Sequence, residues 1–129
     1  MAGDDDPREY LELSLKYLEA AKKNFNDGLH EPALANSIHA LELGIKALLL
    51  SKIEGPIITH NVGGLFGKHH REELGEATCR RVNRILVRYN IPRYPGMDDH
   101  PPEEIGETIE FVDELVRSRI GGILQRDPI

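Results

Sequence analysis

The chain has 129 residues, 40% of them apolar and 5% aromatic, no tryptophan, and a formal net charge of −6. That length holds one domain with one core of Leu, Ile, Val and Ala, and is too short for two. The charge excludes a uniformly basic coat for nucleic acid, and the single cysteine, Cys79, excludes an intrachain disulfide.

The chain opens "MAGDDDPRE", acidic where a secretory leader is basic and then apolar, so no signal peptide is expected. Asp6 can cap a first helix, Pro7 suits its first position, and Glu9 completes a near capping box. Tyr10, Leu13, Tyr17, Ala20 and Ala21 recur at helical spacing until "NDG" at 26–28, where Asn and Gly accept a left-handed end. A second helix is expected from near Pro32 to about Ser51. It is apolar almost all round, through Leu34, Ile38, Leu41, Leu43, Ile45 and Leu48, so it is either central or faces a second subunit. Its longest apolar stretch, "ALELGIKALLL", holds Glu42 and Lys46 and falls short of the roughly 20 residues that cross a bilayer. No membrane association is expected, and a cytoplasmic location fits. One polar stripe remains on this helix: Asn36, His39, Glu42 and Lys46.

Residues 54–70, "EGPIITHNVGGLFGKHH", read as a break with one short element capped by Thr59 and carrying Val62, Leu65 and Phe66. A further helix is expected over about Glu72–Asn90. Val82, Ile85, Leu86 and Tyr89 form its apolar side, and Arg81, Arg84 and Arg88 an adjacent side at spacings of three and four. The loop "RYNIPRYPGMDDHPPEE" follows. The last helix starts near Pro101 or Pro102, places Glu103 and Glu104 in its first turn, and carries Ile105, Ile109, Val112, Leu115, Val116 and Ile120. "GG" at 121–122 is expected to loosen a flexible tail over about 121–129. The periodicities predict an all-α protein: an up-and-down bundle of four to five helices in a single domain, residues 1–129, with its core over about 7–120.

Charge is unevenly spread. From Lys68 to Arg93 seven basic residues meet three acids, a net +4 that leaves about −10 for the rest. A basic surface on an acidic body is compatible with a phosphate-bearing partner.

Three segments in this order, "ALANSIHALELGIKALLL", "THNVGGLFGKHH" and "YNIPRYPG", make the chain resemble the HEPN domain family over about residues 7 to 120. The resemblance implies a helical bundle that pairs into a homodimer and handles nucleotides or RNA. It also implies a metal-independent ribonuclease, a toxin of a toxin–antitoxin pair, or the partner of a nucleotidyltransferase. The family's active motif is an Arg and a following His separated by four to six residues. Here Arg93 and His100 enclose six residues, and Tyr94 and Pro95 follow the Arg where active members place a polar residue.

Metal-free RNA cleavage needs a proton carrier near neutrality and a cation for the developing phosphorane charge. His100 and Arg93 are the side-chain types suited to those roles, so both are candidate catalytic residues. Arg81, Arg84 and Arg88, with His39, Glu42 and Lys46, are the candidate nucleotide- or RNA-binding residues. Plainer readings stand beside these. His100 can cap a helix, and Arg93 can pair with Asp98 or Asp99. The arginine trio can be a solvated face paired with neighbouring acids, and His39, Glu42 and Lys46 a satisfied polar network, Glu42 preceding Lys46 by the favourable four. No H-x-x-x-H spacing occurs and adjacent His69 and His70 diverge on a helix, so no metal and no cofactor is expected. Three functions remain: a nucleotide- or RNA-binding homodimeric module serving a nucleotidyltransferase, an endoribonuclease using Arg93 and His100, or a structural helical dimer without ligand.

Overall fold

A computed structural model describes residues 6–52, 66, 70–89 and 99–126. Every element among them is helical: α1 (Pro7–Asn26), α2 (His30–Leu50), a helical turn at 70–74, α3 (Glu76–Tyr89), α4 (Pro102–Asp113), a π-helical segment (Glu114–Ile120) and α5 (Gly121–Arg126). The protein is an all-α bundle, as its periodicities predict. The short element expected around Val62 and Leu65 lies outside the described residues, apart from buried Phe66.

Local signals set both ends of α1. The Asp6 side chain accepts from the Arg8 N–H at 2.9 Å, and Pro7 supplies a first-turn residue that needs no donor. At the other end Gly28 adopts φ +80°; its N–H bonds to Phe25 O at 3.1 Å, and the Leu29 N–H to Asn24 O at 2.8 Å. This is a Schellman closure, which needs a residue free of Cβ strain. The turn folds α2 back antiparallel on α1: Asn24 Nδ2 donates to Asn36 Oδ1 at 2.7 Å, and buried Ser14 Oγ donates to Ala40 O at 2.6 Å.

The second helix begins at His30, two residues before Pro32, which therefore falls in the first turn where its missing N–H costs nothing. Leu41, Ile45, Leu48 and Leu49 are fully buried, and α2 touches α1, α3, α4 and the π-helical segment. Of the two expectations for its apolar surface, the central position holds. At 21 residues α2 is long and apolar enough to cross a membrane, contrary to the expectation from its longest apolar stretch. Its burial among the other helices is what makes it a core helix.

Two expected elements are divided differently. The helix expected over Glu72–Asn90 breaks at Gly75, which takes φ +87°, so 70–74 closes as its own turn before α3. The last helix does not continue as a plain α-helix to Ile120. Its coil widens over Glu114–Ile120, and Leu115, Val116 and Ile120 are fully buried there. Arg119 ties this segment to the first turn of α3 and the turn before it, donating to Thr78 Oγ1 at 2.9 Å and Leu74 O at 2.8 Å. Beyond it residues 121–126 stay helical, because Ile123 and Leu124 are buried and tertiary packing outweighs the low propensity of two glycines.

Candidate nucleic-acid interface

One side of α3 buries Cys79, Val82, Ile85 and Leu86, which turns Arg81, Arg84 and Arg88 outward. All three are exposed, on the flank nearest α4. Arg81 lies over the Phe111 ring, its guanidinium carbon 4.2 Å from the centroid, a contact that supports the cation without neutralising it. Arg84 and Arg81 form no ion pair among the described residues. Arg88 does: one of its terminal nitrogens donates to both carboxylate oxygens of Glu104, at 2.8 and 3.0 Å. Neighbouring Arg80 pairs along the helix with Glu76 at 2.8 Å.

Below Arg88 three helix ends meet. The His100 N–H donates to Glu31 Oε2 at 3.2 Å, and the His100 Nδ1 lies 3.2 and 3.3 Å from the two Glu31 oxygens. The imidazole also stands edge-on to the Tyr89 ring, with centroids 5.0 Å apart. The end of α3, the start of α4 and the first turn of α2 are thus joined through His100. The capping reading of His100 does not hold: Pro101 caps α4, with no side-chain cap hydrogen bond, and the imidazole reaches across to α2 instead. Arg93 and Asp98 lie outside the described residues, so neither the Arg93–His100 pair nor the pairing of Arg93 with acids can be placed.

The polar stripe of α2 faces elsewhere in its upper half. Asn36 bonds to Asn24, and exposed His39 meets Tyr17 edge-on at 4.4 Å, both partners being on α1. Glu42 and Lys46 follow one and two turns later, both half-buried. Among the described residues no three His, Cys, Asp or Glu side chains gather as metal donors would.

Sequence reasoning found the cations but missed their partners. Glu31 lies 69 positions from His100 and Glu104 lies 16 from Arg88, so no short-range spacing announces either contact. Glu104 was legible only as a first-turn acid suited to the helix dipole.

These partners move pKa values. Burial works against the charge of Glu104, but the hydrogen bonds and charge of Arg88, with a smaller effect of neighbouring Tyr89, outweigh it and hold its carboxyl below the ordinary glutamate value. Asp113 behaves alike: burial raises, while Lys22 and Arg117 prevail and lower. Lys52 leads in lowering Glu73, with burial opposing and His70 adding to the effect. A carboxyl whose folded pKa is depressed stabilises the fold above its unfolded pKa and loses that contribution as pH falls through the folded value. The urea midpoint is therefore expected to stay level from about pH 7 to about 5 and to fall below about pH 4.5. Equilibrium unfolding across pH checks this, and a midpoint that rises toward pH 3 would overturn it.

A family model, that of the HEPN domain, matches residues 7–121. No curated protein and no solved structure matches the chain.

Proposed function

The chain belongs to the HEPN domain family, and on that premise we propose that it is a phosphate-recognising module, a homodimer that binds a nucleotide or single-stranded RNA along α3 and serves a separate nucleotidyltransferase. The observation that carries this reading is the exposed guanidinium row of Arg81, Arg84 and Arg88 on a chain of net charge −6. Two of the three lack a carboxylate partner among the described residues, so their charge is available to an incoming anion. From Arg81 to Arg88 the helix rises about 10 Å, enough for more than one phosphate. Arginine suits that role because its planar fork stays charged and matches phosphate oxygens.

Fluorescence anisotropy of a labelled single-stranded RNA tests the reading. Binding is expected at low salt and should weaken as salt rises, because each neutralised phosphate releases counterions. Absence of binding at low salt would leave only a structural helical dimer. RNA recovered from the same mixture in EDTA separates the other alternative: it stays full-length for a binding module and shortens if Arg93 and His100 cleave it.

A further inference from the structure

Of the three arginines, Arg88 alone holds an anion among the described residues. One of its terminal nitrogens donates to both oxygens of Glu104, at 2.8 and 3.0 Å, and the Tyr89 ring lies beside the guanidinium, its centroid 5.5 Å from the guanidinium carbon. A guanidinium fork offers a phosphate the same donors that it offers a carboxylate. The pair is open to water, with the Arg88 side chain 55% and the Glu104 side chain 33% exposed. Exposed ion pairs of this kind are weak and exchange readily.

We propose that Glu104 is an internal competitor seated in an anion site at Arg88, so that Arg88 engages a phosphate only when Glu104 leaves. This rests on the phosphate-binding reading of α3 and adds an order of engagement to it. Arg81 and Arg84 make the first contact. Arg88 joins when a phosphate placed beside it displaces the carboxylate. Glu104 thereby sets how much anionic charge a ligand must bring: a lone weak anion leaves the pair closed, and a polyphosphate or RNA opens it. The first turn of α4, which carries Glu104, is then freed from α3, while His100 keeps the start of that helix on Glu31.

The test compares E104Q with E103Q. Both remove one negative charge, but Glu103 is an exposed residue with no contact to Arg88 among the described residues. E104Q is expected to bind the labelled RNA about two- to fivefold more tightly than E103Q does, the range set by loss of one exposed competing pair. Adding R88A to E104Q should remove the gain. Inorganic pyrophosphate supplies a second readout at constant ionic strength. It should raise the thermal midpoint of E104Q more than that of E103Q or of the R88A/E104Q protein. Equal behaviour of E104Q and E103Q overturns the competitor role. Failure of the wild-type chain to bind RNA overturns the module reading instead, and the pyrophosphate comparison then still decides whether Glu104 occupies an anion seat.

Discussion

Replacing Gly44 by valine is expected to lower the stability of the fold by about 1–3 kcal/mol from overpacking, with about 1 kcal/mol more if a buried hydrogen bond is lost. Gly44 lies where α2 passes the π-helical segment. A Cβ built there would stand 2.8 Å from Val116 Cγ2 and 3.4 Å from Ser14 Oγ. Val116 is fully buried and stiff at χ1, so it cannot swing aside into water. Ser14 is also fully buried, and its hydroxyl is committed to Ala40 O. A valine would therefore push on the π-helical segment and on the α1–α2 hydrogen bond together. Urea unfolding measures the loss. Gly122→Ala serves as the contrast, since its new methyl meets nothing within 4 Å. Equal stability of G44V and the parent chain would mean that α2 and the π-helical segment do not approach as described.

Leu41→Ala is expected to cost about 2–5 kcal/mol, the range for deleting a fully enclosed leucine. Leu41 has no exposed surface and sits on the helix that contacts most of the bundle. Its neighbours are held by several helices at once, so the cavity cannot collapse cheaply. Against a total stability of about 5–15 kcal/mol, that loss is large enough to broaden or abolish cooperative unfolding. Denaturant titration followed by circular dichroism is the check, and a loss below about 1 kcal/mol would place Leu41 near the surface instead.

The fold was legible wherever the deciding interactions are local. Asp6 and Pro7 announce α1, Gly28 closes it, and the apolar ring of α2 announces a central helix. Gly75 shows the limit. Glycine is tolerated within helices, and only the left-handed φ it adopts distinguishes a break from a weak spot. The π-helical register carries no one-dimensional signal at all, and the contacts of that segment are long-range: Val116 packs close to Gly44, and Arg119 reaches Thr78 and Leu74. Gly121 and Gly122 misled for the same reason, since burial of Ile123 and Leu124 decides the end of the chain's last helix.

The candidate site divides along the same line. Spacings of three and four put Arg81, Arg84 and Arg88 on one face, and the structure keeps them there. Their environments were not legible, because Phe111 and Glu104 come from another helix, and Glu31 meets His100 across the bundle. The difference matters chemically. Three arginines of one sequence type become a ring-supported cation, a cation without an ion pair among the described residues, and one matched to a carboxylate.

The most direct measurement is the salt dependence of RNA binding by R81A/R84A beside the parent chain. Each lost phosphate contact on a single strand should remove about 0.7 from the magnitude of the slope of log Kobs against log salt, so the double variant should lose about 1.4. Helicity should be unchanged, since both side chains are exposed. An unaltered slope and affinity in R81A/R84A would mean that α3 is not where this protein meets phosphate.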